Sequence, residues 1–313
     1  MLNRPIRRAV LGLGLASTLA LSACGADQGS DPFSSGGGDG GGSGDTIVVG
    51  SANFPESELL MEMYAQALEA QDVSVETKPN IGAREVYMQA FDDGDITLLP
   101  EYNGALLTYL SDGEADPKIT SPDDVYQELQ KVLPEGAETL PQSDAEDKDT
   151  LTVTSETAEK YDLKAIPDLK PVAGEMTVAA GPEFRERFQG LVGLKEVYGV
   201  DFGQFKPLDA GGPLTVGALE DGTADVANIF STNPVISERG WVTLEDPENL
   251  YTSQNVVPLI KSDAVTPEVE DALNGVSEAL TTENLTEALA KVQEDKQDPA
   301  VVAKDFLSEQ GLD

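Results

Sequence analysis

The side chains best suited to hold a ligand form two short groups, each an aromatic residue followed by an amide. Tyr102 and Asn103 form the first group, and residues 230–233 (FSTN) form the second. An aromatic ring that faces a cleft attracts a quaternary ammonium ion, by about 2 kcal/mol per ring once water is excluded. Micromolar binding takes about 8 kcal/mol, so two rings would need a carboxylate or further donors beside them. The alternative role for both rings is core packing. We expect a loop at Tyr102, because Pro100 precedes it and Gly104 follows it.

Groups for catalysis or metal binding are scarce in this sequence. It contains no histidine and one cysteine, which excludes a histidine-based triad, a thiolate metal site and an intramolecular disulfide. No Ser-x-x-Lys occurs, and the glycines at 211–212 lack the Lys-Ser/Thr of a phosphate-binding loop. The acidic runs at 92–95 and 144–149 lack the ligand spacing of a Ca²⁺ site. We therefore expect solvated acidic turns, with no metal, no cofactor and no enzymatic activity.

The charge of the chain narrows the choice of partner. Acidic residues outnumber basic ones 57 to 20, for a formal net charge of −37 over 313 residues. Nucleic acids and anionic membrane surfaces both attract basic proteins, so neither is expected as a partner. A strongly acidic surface favours a well-hydrated, soluble domain.

The N-terminus has the pattern of an export signal. Three arginines among the first eight residues precede an apolar run at 9–21, which is too short to span a membrane. The run ends in LSAC, which resembles a bacterial lipobox and predicts that Cys24 is diacylated; an ordinary signal peptide with a coincidental cysteine is the alternative. Two acyl chains anchor a protein stably. We predict a signal peptide at residues 1–23 and a flexible Gly/Ser/Asp-rich tether at 24–45.

One segment of the sequence occurs twice. From Lys78 the chain contains, in this order, a Lys-Pro pair, a glycine turn, a helical pattern, an acidic residue followed by Asp-Gly, and a strand. The same order occurs again from Lys206, 128 residues later. The two aromatic-amide groups come at the end of these two copies. A supersecondary unit repeated at this distance predicts two similar lobes, since solenoid repeats lie about 20–50 residues apart. Chance similarity is the alternative for so few identities.

Strand and helix patterns alternate along the rest of the chain. We predict strands at residues 46–50, 73–77, 96–99, 151–154, 176–180, 204–206, 241–244 and 256–260, and helices beginning near residues 55, 84, 122, 191, 213, 267, 283 and 299. This alternation indicates an α/β fold with mainly parallel sheet. In such folds ligands bind beyond the carboxyl ends of the strands, where the loops gather.

Four motifs carry a family resemblance: VGSANFPE at residues 49–56, NIGAREVY at 80–87, LPEYNG at 99–104 and QNVVPL at 254–259. Over about residues 47–312 the chain resembles the osmoprotectant (glycine betaine/carnitine/choline) substrate-binding lipoproteins of ABC transporters. The resemblance implies a two-lobed type II periplasmic-binding-protein fold that closes on its ligand.

The resemblance also implies a division of the chain into lobes. Crossover segments would lie near residues 148–153 and 252–256. Lobe 1 would comprise residues 46–149 and 255–313, and lobe 2 residues 150–254.

The resemblance implies a ligand site made largely of tyrosines. Tyr102 and Phe230 match two positions of the aromatic cage, whereas Asp149 and Leu191 occupy the other two. The position where some members have a lysine is Ala52. These differences favour a cation whose charge Asp149 would balance, or a larger quaternary amine with a different tail; a solvated turn is the alternative for Asp149. The candidate ligand contacts are Ser51, Asn53, Phe54, Glu56, Arg84, Tyr102, Asn103, Asp149, Phe230, Ser231 and Thr232.

The function expected is capture of a quaternary amine outside the cell membrane. Tyr102 and Phe230 would stack on the cation, and Asn53, Asn103, Ser231 and Thr232 would hydrogen-bond the rest. The protein, a monomer held to the membrane by lipid on Cys24, would deliver the ligand to an ABC permease and its ATPase. The same fold binding an amino acid or other polar metabolite is the first alternative. An enzyme of this fold class or a structural envelope lipoprotein is the second.

Overall fold

The fold contains two five-stranded β-sheets. The computed structural model describes residues 46–113, 115–116 and 118–313, so the predicted signal peptide, Cys24 and the tether lie outside the described residues. The strands within this part are β1 Ile47–Gly50, β2 Val75–Lys78, β3 Leu98–Tyr102, β4 Ala137–Thr139, β5 Asp149–Val153, β6 Thr177–Ala180, β7 Gln204–Pro207, β8 Val226–Phe230, β9 Val242–Thr243 and β10 Val256–Lys261.

Helices connect these strands and cover the sheets. The α-helices are α1 Pro55–Ala70, α2 Arg84–Asp92, α3 Asn103–Leu110, α4 Pro122–Val132, α5 Ser155–Tyr161, α6 Pro213–Glu220, α7 Val235–Glu238, α8 Pro267–Ala279, α9 Thr282–Gln293 and α10 Pro299–Gln310. Within the described residues, no helix is both long enough and apolar enough to cross a membrane.

The two sheets share one topology. Their strand orders are β2-β1-β3-β10-β4 and β7-β6-β8-β5-β9. In each sheet three strands run parallel, and the fourth pairs antiparallel with both of its neighbours. The predicted α/β class is confirmed, and each sheet is mixed: four of its five strands run in one direction and the fifth runs opposite. The opposite strands are β5 and β10, which each enter their sheet from the other lobe.

The duplication predicted from the sequence is confirmed. Strand β3 (Leu98–Tyr102) and strand β8 (Val226–Phe230) lie 128 residues apart with no shift in their ends, and they hold the same place in the two strand orders. We call the sheet of β1 and the helices packed on it lobe 1, and the sheet of β6 with its helices lobe 2. Tyr102 and Phe230 are therefore equivalent residues of the two lobes.

Two crossover segments join the lobes, at residues 140–148 and 244–255. They run side by side: the backbone N–H of Asp147 donates to the carbonyl of Gln254 at 3.0 Å, and Glu146 pairs antiparallel with Asn255. The first crossover precedes the predicted range 148–153, because most of that range is strand β5. The sequence boundaries proposed for the lobes stay a prediction.

Apolar helix faces fill the cores as the sequence pattern predicted. In lobe 1 the face of α1 that carries Leu59, Met63 and Tyr64 is buried. In lobe 2 the helix predicted from residue 191 is instead a pair of π-helical turns, Phe188–Val192 and Leu194–Tyr198, broken by non-helical backbone at Gly190. Gly190 lies so close to the carbonyl of Phe184 that a side chain there would collide with it.

Candidate ligand-binding site

A cavity of about 60 Å³ lies between the two lobes. The carboxyl ends of β3 and β8, the turn after β1 and both crossovers reach its wall, as expected for parallel strands whose following loops gather at one edge. Six of the predicted contacts line it: Asn53, Phe54, Arg84, Tyr102, Asp149 and Phe230. The structure thus brings together residues from lobe 1, from lobe 2 and from the segments between them.

Three aromatic rings form one wall of the cavity. The ring centroid of Phe54 lies 6.1 Å from that of Tyr102 and 5.0 Å from that of Phe230, at interplanar angles of 34° and 49°. Phe54 immediately precedes α1, whose first residue is Pro55. Behind the wall, a Cβ atom at Gly211 (φ +61°) would lie 2.8 Å from the ring of Phe230, so glycine is required for this approach.

Asp149 supplies negative charge next to the aromatic wall. It is the register partner of Phe230 across strands β5 and β8, and partners of this kind project from the same face of a sheet. Its Oδ1 accepts from Nδ2 of Asn228 at 3.0 Å. Burial raises the pKa of Asp149, although the Asn228 hydrogen bond and the charges of Arg187 and Arg84 act in the opposite direction.

Arg84 and Glu101 form a buried ion pair at the floor of the cavity. The Nε and Nη2 atoms of Arg84 each lie 3.0 Å from a carboxylate oxygen of Glu101. The hydroxyl of Tyr87 donates to the same carboxylate at 2.6 Å, and so does the backbone N–H of Tyr102 at 3.0 Å. Because both charges are paired and the carboxylate accepts further donors, this group fixes the end of β3 rather than offering a free charge.

A second ion pair joins the lobes beside the cavity. Nε and Nη2 of Arg187, in lobe 2, donate to the two carboxylate oxygens of Glu85, in lobe 1, both at 2.8 Å. Glu85 lies in the first turn of α2, directly after Arg84. The hydrogen bond from Arg187 lowers the pKa of Glu85, with burial acting against it. This pair holds the two lobes together in the structure described.

Two buried carboxyl groups lie behind Tyr102. Glu56 and Asp147 are 2% and 3% exposed. The hydroxyl of Tyr102 donates to Glu56 at 2.6 Å, and the hydroxyl of Thr232 donates to its other oxygen. The backbone N–H of Thr232 donates to Asp147 at 3.0 Å. The network therefore connects the aromatic wall, helix α1, the first crossover and lobe 2.

The two carboxyl groups also affect each other's titration. Burial raises the pKa of both groups, and the negative charge of Glu56 raises that of Asp147 further. The surroundings therefore favour the neutral form of Asp147. None of the ion pairs in the described residues includes either group.

The other predicted contacts do not line the cavity. The Ser51 hydroxyl accepts from the N–H of Asn80 at 2.8 Å, which fixes the turn after β1. Asn103 is fully buried and accepts from the N–H of Asn255 at 2.9 Å, so it holds the second crossover. Ser231 accepts from the N–H of Lys148 at 2.8 Å. Glu56, Ser51, Asn103, Ser231 and Thr232 therefore support the wall from behind.

Two sequence expectations are corrected by the geometry. Tyr102 does not lie on a loop: it is the last residue of β3, is 6% exposed, and is followed at once by α3. The run 144–149 is not a solvated turn either, since Asp147 is buried and Asp149 lines the cavity. In both cases the neighbouring crossover covers residues whose local sequence is typical of exposed turns.

Several residues at the cavity were not singled out from the sequence: Tyr87, Asp147, Phe184, Arg187, Gln189, Asn228 and Gln254. Gln254 is the first residue of the family motif at 254–259, and this position in a motif could have identified it as a candidate site residue. Asp147, Arg187 and Gln189 lie in segments with no motif. Among the described residues, no group of three or more His, Cys, Asp or Glu side chains is arranged to hold a metal ion.

The sequence of this chain is similar to those of known transport proteins. Residues 45–309 match the family model described as the substrate binding domain of an ABC-type glycine betaine transport system. The carnitine transport binding protein OpuCC of Listeria monocytogenes is 26% identical over 300 residues, covering 94% of this chain and 92% of that protein. A glycine-betaine-binding protein of Pseudomonas aeruginosa is 24% identical over 281 residues, covering 86% of this chain and 89% of that protein.

Solved structures show the same fold. A glycine betaine/carnitine/choline ABC transporter protein superimposes with a TM-score of 0.66 at 22% identity, covering 85% of this chain and 99% of that one. An ABC-transporter choline binding protein in complex with choline gives a TM-score of 0.63 at 14% identity, covering 85% and 89%. The chain has the two-lobed type II periplasmic-binding-protein fold predicted from its sequence.

Proposed function

We propose, from the premise that the chain belongs to the family of substrate-binding domains of ABC-type glycine betaine transport systems, that its ligand is a quaternary ammonium compound held between the two lobes. The proposal rests on one observation. The ring of Phe54 contacts the rings of both Tyr102 and Phe230, and Asp149 lies opposite Phe230. Aromatic faces attract a quaternary ammonium ion, and the partly buried Asp149 carboxylate can balance its positive charge. Relatives named for carnitine and glycine betaine support the same class.

The aromatic wall and Asp149 each contribute part of the binding free energy. Three desolvated rings contribute about 2 kcal/mol each at most, and micromolar affinity takes about 8 kcal/mol. Asp149 supplies the remainder by balancing the ligand's charge in a site where water is excluded. Because Arg84 and Arg187 are already paired with Glu101 and Glu85, neither cancels the negative charge of Asp149 completely.

The membrane attachment is a separate part of the proposal. An export signal at residues 1–23 and lipid on Cys24 would hold the protein at the outer face of the cell membrane, where it meets the permease and its ATPase. The protein would act there as a monomer, by binding and release without catalysis. Residues 46–149 and 255–313 would move as lobe 1, and residues 150–254 as lobe 2.

Calorimetric titration of the purified protein tests the ligand class. We expect choline, glycine betaine or carnitine to bind with micromolar or better affinity, and amino acids without a quaternary nitrogen to bind at least tenfold more weakly. Saturation by such an amino acid, with no heat from any quaternary amine, would assign the site to amino acids or other polar metabolites instead.

Labelling of cells with a radioactive fatty acid tests the attachment. The wild-type protein is expected to take up label and to sediment with membranes, whereas Cys24→Ser should lose the label. A soluble, unlabelled wild-type protein would contradict the lipid anchor and leave the ligand proposal intact.

A further inference from the structure

Two buried amide groups of the cavity wall have an unused hydrogen-bond donor. Six buried polar side-chain atoms find no partner within the part of the chain that the structure describes. Two of the six, Nε2 of Gln189 and Nε2 of Gln254, belong to residues that line the cavity. Buried polar groups in native proteins are nearly always paired, so two unpaired donors at one cavity call for an explanation.

The orientation of the Gln254 amide is dictated by its surroundings. Its Oε1 accepts from the backbone N–H of Asp149 at 3.1 Å, and its side chain lowers the pKa of the Asp149 carboxyl, so the amide lies against that residue. Its own backbone is fixed too, because its carbonyl accepts from the N–H of Asp147 at 3.0 Å. The side chain is 3% exposed. The donor therefore belongs to a rigid part of the second crossover.

Gln189 reaches the cavity from lobe 2. It is 6% exposed and has non-helical backbone (φ −73°, ψ 21°) at the break in the π-helical turns. The position is set by its neighbours: Arg187, two residues earlier, is bonded to Glu85 of lobe 1, and Gly190 packs against the carbonyl of Phe184. One donor thus comes from lobe 2 and the other from a crossover.

We propose that Gln189 and Gln254 donate hydrogen bonds to an oxygen on the tail of the ligand, and that they select quaternary amines that carry a carboxylate or hydroxyl oxygen. This inference rests on the proposed function, since it assigns the second end of the same ligand. Both guanidinium groups at the cavity are already bonded to carboxylates, Arg84 to Glu101 and Arg187 to Glu85. The two amides are the donors that a ligand would satisfy without breaking an ion pair.

The selectivity follows from the cost of an unpaired buried donor. A ligand oxygen satisfies the donors, whereas an alkyl group of the same size displaces water and leaves them unpaired. Sites built to hydrogen-bond a ligand group therefore discriminate strongly against analogues that lack it. For two neutral donors we expect at least about a tenfold preference.

Three probes with a common trimethylammonium head test the proposal by calorimetry on the purified protein: glycine betaine with a carboxylate, choline with a hydroxyl, and ethyltrimethylammonium with no acceptor. We expect the wild-type protein to bind at least one of the first two tenfold or more tightly than the third. The tighter of the two identifies the oxygen as carboxylate or hydroxyl.

The variant Gln254→Glu keeps the acceptor for the Asp149 N–H and removes the donor. It is expected to reduce the preference for glycine betaine over ethyltrimethylammonium, and to weaken glycine betaine more than choline, because a choline hydroxyl can donate to the new carboxylate. Gln189→Glu provides an independent second variant. Gln71→Glu, at an exposed position outside the site, controls for the added charge.

The possible failures are distinguishable. Equal binding of all three probes by the wild-type protein, or an unchanged preference in both folded variants, would overturn the role of the two amides while leaving a quaternary-amine site. Absence of binding of all three probes would overturn the proposed function and this inference with it.

Discussion

Asp149 and Phe230 lie directly opposite each other on the antiparallel strands β5 and β8. Residues in this relationship have Cβ atoms roughly 4.5–5.5 Å apart on one face of the sheet. A carboxylate and an aromatic ring are thereby held side by side by backbone hydrogen bonds, independently of any loop. Because both strands belong to the sheet of lobe 2, the pair forms together with that lobe.

Replacement of Asp149 by asparagine is expected to weaken the binding of a quaternary amine by about tenfold or more, because it removes a partly buried charge next to the cation. The amide oxygen can still accept from Asn228. Titration calorimetry of Asp149→Asn measures the loss, and Asp144→Asn, at an exposed position of the same segment, is the control. Equal losses in the two variants would show that only the net charge matters.

The affinity of the wild-type protein should also depend on pH. Burial raises the pKa of Asp149, so at low pH a fraction of the free protein carries a proton there. A cation favours the ionised carboxylate, and binding therefore releases that proton. We expect affinity to increase as the pH rises through the raised pKa and then to level off. The increase should be absent in Asp149→Asn, which calorimetry in buffers of different ionisation enthalpy would detect as a loss of proton release.

Substitution of Phe230 by leucine tests the aromatic wall. The change keeps an apolar side chain but removes the ring, with an expected loss of about 1–2 kcal/mol, or roughly tenfold in affinity. Phe205→Leu removes an aromatic residue of similar exposure on strand β7, away from the cavity, and should leave affinity unchanged. An equal effect of the two variants would argue that loss of stability, rather than of a cation contact, weakens binding.

Features that depend on short stretches of sequence could be predicted. The duplicated unit has the same length in both copies, which aligns Tyr102 with Phe230 and gives the two sheets one strand order. The face of α1 follows from apolar residues at helical spacing, and Phe54 comes to the cavity because it lies between β1 and Pro55. These relationships are local, or repeat a local pattern.

Features that depend on contact between distant segments could not be predicted. Asp147 sits in a run of acidic residues that looks solvated, and it is buried because the two crossovers pair with each other. Gln254 faces the cavity because its amide bonds to Asp149, 105 positions earlier in the chain. Neither contact can be predicted from the composition or spacing of the residues around it.

The buried carboxyl groups of Glu56 and Asp147 make stability depend on pH. Both pKa values are raised by burial. Carboxyl groups of this kind contribute stability that is complete below the ordinary carboxyl range and is lost as the pH rises through the raised values. We expect the Tm of the wild-type protein to fall over that interval. Asp147→Asn cannot ionise and can still accept from the Thr232 N–H, so its Tm should fall less.

The control for this experiment is Asp144→Asn, which removes one exposed charge from the same segment. It accounts for the general repulsion in a chain with a net charge of −37. If Asp147→Asn and Asp144→Asn show the same pH profile in thermal unfolding between pH 4 and pH 9, burial does not raise the pKa of Asp147.

The ion pair between Glu85 and Arg187 should set how long the lobes stay closed. It links α2 of lobe 1 to lobe 2 through two bonds of 2.8 Å, with side chains 45% and 29% exposed. Partly exposed pairs contribute about 0.2–1 kcal/mol, so Glu85→Gln should raise the ligand's dissociation rate up to about fivefold, with little change in association. Stopped-flow fluorescence measures both rates, and small-angle scattering should show a more open average shape.

The charge-exchanged variant Glu85→Arg with Arg187→Glu separates this role from a general loss of charge. If the pair acts across the cleft, the double variant should recover most of the slow dissociation that each single variant loses, as a double-mutant cycle requires. Asp201→Asn, which breaks the Lys195–Asp201 pair within lobe 2, is the matched control and should leave dissociation unchanged. Additive losses in the double variant would mean that the two residues do not act on each other when the ligand is bound.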